Sequence, residues 1–224
     1  MFVEISYPIS AEDTVLDPGL KGPKVESRSR ISEGKSSNTS YIELFAHTGT
    51  HIDMPWHFND RGRKILDFGI EEFVFNKVVL LDIPKEANKS VLWEDLILFS
   101  DQIHQADALL IRTGFGEQRK KNPDSYVHDT PGLALETGEK LSELTNIRCI
   151  GVDFISIENI SRARAAGYPV HHALLDRDKP IILLEDANLS VLRNENIKRL
   201  YLFPLRIADL EASPVTAVVE ITDV

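Results

Sequence analysis

The chain has 224 residues, 42% hydrophobic and 27% charged, a composition that excludes wholesale disorder and fits one domain spanning residues 1–224. Its net charge of -10 excludes the basic footprint that nucleic acids and anionic membranes demand, so the expected partner is a small molecule. No basic start precedes an apolar leader, no apolar run approaches the roughly 18 residues of a membrane helix, and one cysteine cannot close an internal disulfide, so the expectation is a cytoplasmic protein.

In chain order, Val3 to Ser10 alternates apolar and polar residues as a short strand running into a Pro turn. Residues near 12 to 24 are rich in Pro, Gly and Asp and read as a surface loop. Lys24 to Ile31 and Ser40 to Phe45 flank the polar turn Gly34 to Asn38, which predicts a hairpin whose second strand delivers the chain to His47. Val74 to Asp82 reads as a strand. Leu92 to Ile103 reads as a helix after Ser90 and the acids Glu94 and Asp95. His104, near its end, reads as structural.

Ala108 to Ile111 is a short buried strand, with Gly114 and Gly116 beyond its end. Arg119 to Lys121 reads as a solvated basic run, and Asn122 to Gly132 as a loop in which Tyr126 and His128 border a pocket in one reading and are ordinary loop residues in the other. A helix over Leu133 to Leu144, a strand over Cys149 to Val152 with Cys149 as a core residue, and a helix over Ile160 to Ala166 ending at Gly167 follow. Asp153 reads as a residue that orients backbone. Strands at Ile181 to Leu184, Tyr201 to Leu205 and Val215 to Ile221 complete the chain. The fold class is α/β: a mixed sheet or barrel with flanking helices.

Three of the seven histidines fall within eleven residues, and His47, His51, Asp53 and His57 are separated by even intervals. In an extended chain even spacing places side chains on one face, whereas Gly49, Pro55 and the β-branched Thr48, Thr50 and Ile52 disfavour a helix. Imidazoles with a carboxylate suit zinc, manganese or iron better than calcium or magnesium.

The pattern His47-Thr-Gly-Thr-His51-Ile-Asp53-Met-Pro-Trp-His57 resembles the signature of the cyclase-like metal-dependent hydrolases, the family that includes bacterial kynurenine formamidase (arylformamidase). Arg112-Thr-Gly, Asp129 to Leu133, Gly151 to Ser156, His171 to Leu175 and Leu184-Glu185 fit the same family in order and approximate spacing. The resemblance implies a swivelling β/β/α fold, a divalent metal with zinc ahead of manganese and room for two ions, and cleavage of an amide C–N bond. It implies His47, His51, Asp53, His171 and Glu185 as metal residues, with Asp53 as the bridge if two ions bind.

His172 takes the place of an Arg in the family pattern, so the resemblance selects His171 over its neighbour as the ligand and leaves His172 near the pocket. The loop Asp176 to Pro180 is slightly longer than in the formamidases. His57 resembles the family's catalytic histidine, a proton shuttle, with a further metal ligand as the alternative reading. Trp56 and Phe58 are either pocket walls or packing residues, and His128 is a further pocket candidate.

The implied reaction is N-formylkynurenine hydrolysis to kynurenine and formate. The alternatives are hydrolysis of a cyclic, isatin-like amide, a metal-binding module without turnover, and a structural zinc protein. Against that last reading, a mixed His and carboxylate set is better suited to an open site than to a closed one. The resemblance also implies a homodimer or homotetramer.

Overall fold

The strands at the centre of the chain are apolar at every position because both of their faces are covered. Along Ala108-Leu-Leu-Ile111, Ala108 and Leu110 join Cys149, Ile182 and Leu184 in one buried cluster, while Leu109 and Ile111 join Ile150, Val152 and Leu183 in another. The period of two thus feeds two cores. The computed structural model describes residues 1–11, 20–177, 179, 181–193 and 196–222.

The elements in chain order are β1 (Phe2–Glu4), β2 (Lys24–Ser29), β3 (Thr39–Glu43), β4 (His51–Asp53), β5 (Val74–Phe75), β6 (Val78–Asp82), β7 (Ser90–Val91), α1 (Trp93–Ile97) and α2 (Ser100–Gln105). Then follow β8 (Ala108–Arg112), α3 (Gln118–Lys121), α4 (Pro123–His128), β9 (Gly132–Leu133), α5 (Leu135–Glu143) and β10 (Cys149–Val152). The last are α6 (Ile160–Ala166), α7 (Pro169–Leu175), β11 (Ile182–Glu185), β12 (Ile197–Pro204) and β13 (Ala212–Ile221).

One large sheet runs β5-β12-β13-β4-β11-β10-β8-β6, with β1 added to β13. β6, β8, β10 and β11 are parallel; β4, β13, β12 and β5 follow antiparallel. The edge strand β6 packs back on β12, so the mixed sheet is nearly closed, like a barrel. Leu184, Ile52, Leu200, Leu202, Ala217 and Val219 fill the inner cluster. Helices cover the parallel half from outside, where Leu96, Ile103, Leu141, Val170 and Leu174 meet the outer faces of β6, β8, β10 and β11. The expected α/β barrel with flanking helices is present.

Three expectations about local structure are corrected. The predicted helix over 92–103 is two helices, α1 and α2, because Phe99 leaves helical backbone at φ -110, ψ 16. The segment 122–132 is not all loop: Asn122 caps α4 by accepting from the Ser125 amide, and Pro123 starts the helix. Val74 to Asp82 is divided between β5 and β6, which pair with different strands. The hairpin appears as β2 and β3, paired from Lys24↔Glu43 to Ser29↔Thr39. Most of the loop expected near 12–24 lies outside the described residues, as do positions 178 and 180 of the loop before β11.

Candidate metal centre

His47, His51, Asp53 and His57 do converge, but not on one extended strand. Only His51–Asp53 is β structure; His47 lies in the preceding turn and His57 ends a 3-10 turn over Pro55–His57. Gly49 bends that first turn at φ +64, the left-handed region a side chain disfavours, and so swings His51 onto β4 behind His47. Pro55 then starts the 3-10 turn that folds His57 back over Asp53. Tertiary folding supplies the other half: β11 pairs antiparallel with β4 and sets Glu185 opposite His51. His171 arrives from α7.

His47 Nδ1 lies 2.9 Å from Asp53 Oδ1, and His51 Nε2 is 3.4 Å from both Asp53 Oδ1 and Glu185 Oε2. His171 Nε2 is 3.5 Å from Glu185 Oε1, and His57 Nε2 is 4.0 Å from Asp53 Oδ2. Asp53 is 1% exposed and Glu185 3%. Two bare carboxylates at that depth carry a heavy desolvation cost unless cations compensate them. The imidazoles do so here. Burial alone would lower the His47 pKa, but Asp53 and Glu211 raise it to about 8. Burial likewise disfavours charged His171, yet Glu158 and Glu185 raise it to about 9. His51 is raised well above its usual value against its own burial by the same two carboxylates. Burial and Asp53 push Glu185 up, but His171 and His51 bring it down to about 2. Asp53 is held well below the usual carboxylate range by His47 and His51, against the effect of burial.

Despite these approaches, His51 Nε2, both Asp53 oxygens and His171 Nδ1 are buried without a hydrogen-bond partner, because the contacts are misaligned. The unsatisfied lone pairs of His51 Nε2 and the two Asp53 oxygens, gathered in one place, fit a divalent cation. Two sets each bring three ligand atoms within 4.8 Å of one another: His47, His51 and Asp53; and Asp53, His171 and Glu185. Asp53 belongs to both. Nitrogen and carboxylate oxygen ligands suit zinc or manganese. The chain also fixes the tautomer of His51, since Nδ1 lies 2.8 Å from the Gly49 carbonyl and donates to it, leaving Nε2 to face the carboxylates.

A cavity of about 290 Å³ opens over these groups. Its walls are Leu20, Phe45, Phe58, Ile155, Ile160 and Tyr168. Phe58 stacks on His171 with ring centroids 4.6 Å apart. His57 faces the cavity with 27% of its side chain exposed, and burial lowers its pKa below 6.5 although Asp53 is near.

Three expected pocket residues stand elsewhere. Trp56 lines a neighbouring open cleft with Asp60 and Glu211, its face covered by Lys64 Nζ at 4.2 Å from the ring centroid. His128, at the exposed end of α4, pairs with Asp124 and does not reach the cavity. His172 is exposed and meets Phe58 in a T-shaped ring contact, centroids 5.1 Å apart, because one helical residue turns it about 100° away from its neighbour His171. Tyr126 is fully buried, not a loop residue.

Sequence reasoning missed Glu158, Glu211 and Asp186. Glu158 Oε1 accepts from the His171 amide at 2.6 Å, fixing the backbone there, and lies 3.3 Å from the ring Nδ1. Glu211 Oε1 stands 3.3 Å from His47 Nε2. A carboxylate in a loop carries no local signal of such a role; only burial and proximity reveal it.

Residues 3–159 match a family model described as "Putative cyclase". A kynurenine formamidase of Bacillus thuringiensis subsp. konkukian (strain 97-27) is 29% identical over 219 residues, 98% of this chain and 97% of that protein. Among solved structures, isatin hydrolase A from Labrenzia aggregata bound to benzyl benzoate superposes with a TM-score of 0.84 at 22% identity, covering 100% of this chain and 94% of that one. A structure described as a potential metal-dependent hydrolase with cyclase activity gives a TM-score of 0.75 at 22% identity, covering 98% and 96%.

Proposed function

The chain belongs to the cyclase family, and from that membership together with its buried His and carboxylate cluster we propose that it is a metal-dependent hydrolase cleaving the C–N bond of a small aromatic amide. The observation that carries this reading is the sharing of Asp53 between two three-ligand sets at the floor of an aromatic cavity. The names of similar proteins, kynurenine formamidase and isatin hydrolase, are in keeping with it. His47, His51 and Asp53 would hold one ion and Asp53, His171 and Glu185 a second, zinc before manganese.

A bound divalent ion supplies Lewis acidity, which acidifies a water and polarises a carbonyl. The chain's own residues do the rest. Phe45, Phe58 and Tyr168 flank an aryl group and orient its amide toward Asp53 and Glu185. Leu20, Ile155 and Ile160 exclude bulk water. His57, whose pKa burial lowers, accepts at Nε2 a proton from the attacking water and returns it to the departing nitrogen. The cavity volume matches one aromatic ring with its amide, so an N-formyl arylamine such as N-formylkynurenine and a cyclic aryl amide such as isatin are both candidates. Turnover of each, assayed on protein loaded with Zn²⁺ or Mn²⁺, separates them. Metal uptake with no hydrolysis of either would refute this substrate class.

A further inference from the structure

Directly after Glu185, Asp186 occupies left-handed backbone at φ +52 while only 2% exposed. Such a conformation is uncommon for a residue with a side chain and persists where surrounding contacts over-determine it. Here they do. Its amide donates to the Phe154 carbonyl at 3.0 Å, and its own carbonyl accepts from Thr50 Oγ1 at 2.5 Å. Its carboxylate receives Arg119 Nε at 2.8 and 3.0 Å and the Tyr126 hydroxyl at 2.7 Å.

The partners are as deeply set as the acid. Tyr126 is fully buried, and Arg119, 8% exposed, lies with its guanidinium carbon 4.1 Å from the Tyr7 ring centroid. The basic run expected to be solvated at 119–121 is therefore split. Lys121 does face solvent, pairing with Glu117, while Arg119 turns inward to the acid that follows β11. The Tyr7 amide in turn donates to Thr50 Oγ1 at 2.9 Å. Thr50 stands between Gly49, whose carbonyl orients His51, and His51 itself. One connected set of polar contacts thus runs from α3 and α4 through Asp186 to both segments that carry metal residues, and contributes no ligand of its own.

We propose that Asp186, braced by Arg119 and Tyr126, is a positioning residue that holds Glu185 and His51 at ligand spacing before an ion arrives. The proposal rests on the metal-site reading given above. Carboxylates and hydrogen bonds behind a ligand fix its direction, and their loss typically weakens metal affinity by about 10- to 100-fold. Asp186→Asn keeps size and tolerance of left-handed backbone but loses the charge that Arg119 needs. Tyr126→Phe deletes a single hydroxyl and is the milder variant should the first fail to fold.

The test is Zn²⁺ titration of metal-stripped wild type, Asp186→Asn, Tyr126→Phe and a control, Asp153→Asn, with thermal melting of each stripped protein alongside. Asp153 is equally buried, but its carboxylate binds the Thr113 and Gly114 amides instead. The expected result is Zn²⁺ affinity at least tenfold weaker in Asp186→Asn, a smaller loss in Tyr126→Phe, and wild-type affinity in the control even if its melting temperature falls as far. Wild-type affinity in Asp186→Asn or, if that variant does not fold, in Tyr126→Phe overturns the proposal. So does a control that loses affinity in proportion to its melting temperature. A wild-type protein that takes up no Zn²⁺ instead refutes the metal-site reading, and the positioning role falls with it.

Discussion

His57 Nε2 stands 4.0 Å from Asp53 Oδ2, beside the ligand cluster yet too far to hydrogen-bond with it. That gap leaves Nε2 unbonded to Asp53 at the edge of the cavity, in keeping with the proton carrier proposed above. Its ring centroid is 4.4 Å from that of His47, which leaves it within reach of the same reaction space. We predict that His57→Ala retains the metal content of the wild type while kcat falls by about 10²- to 10⁴-fold. Elemental analysis beside steady-state kinetics checks this, and loss of metal in step with activity would make His57 a ligand instead.

Asp53 lies in both ligand sets, so its removal should empty both. Asp53→Ala is expected to bind no stoichiometric metal, whereas His47→Ala and His171→Ala should each retain one of two equivalents. Inductively coupled plasma analysis of dialysed protein provides the count. One full equivalent surviving in Asp53→Ala would show that the two sets do not share it.

The β10 thiol of Cys149 is fully buried, and burial raises its pKa well above the usual thiol value. Thiolate is the reactive form, so the native protein should not react with a thiol reagent such as Ellman's reagent at pH 8, and one equivalent should react after denaturation. Prompt reaction of the folded protein would contradict the placement of Cys149 in the inner core.

Arg63 grips Glu72 through two parallel bonds, Nη1 to Oε1 at 2.8 Å and Nη2 to Oε2 at 2.7 Å, and the Glu72 pKa is lowered chiefly by that hydrogen bonding. A carboxyl whose pKa is depressed on folding adds stability above its unfolded pKa, and that stability is lost as pH falls through the folded value. Melting temperature should therefore decline more steeply below pH 4.5 in the wild type than in Arg63→Ala. Parallel acid limbs in the two proteins would show that the pair contributes nothing measurable, as exposed pairs often do.

A methyl group on Gly132 would come within 2.5 Å of the Asn159 amide nitrogen and 2.9 Å of the Glu158 carbonyl carbon, both backbone atoms that cannot swing aside. Gly132→Ala should cost about 1–3 kcal/mol of stability, the range for overpacking. Because Glu158 holds His171, metal affinity should fall as well. Chemical denaturation and Zn²⁺ titration read the two effects; wild-type stability would mean that the strand over Gly132 and Leu133 has room to shift.

Much of the site is legible in the order of residues. His47, His51, Asp53 and His57 crowd into eleven positions, and apolar runs such as Ala108 to Ile111 and Cys149 to Val152 announce strands covered on both faces, because ligand chemistry and side-chain period are local properties. Even there the geometry inferred from spacing is wrong in part. His47 and His57 are brought together by turns at Gly49 and Pro55, not by a continuous strand.

What only the tertiary structure decides is which distant groups meet the cluster and which histidines and aromatics miss it. Glu185 reaches His51 through strand pairing across more than a hundred residues, and Glu158 meets His171 through a loop that no periodicity describes. Arg119, read locally as solvated, is buried against Asp186 because desolvating a charge is tolerable only where the opposite charge is already in place. Sequence order carries the chemistry available to the chain; burial and long-range pairing determine which atoms are left unsatisfied around Asp53, and therefore where an ion would bind.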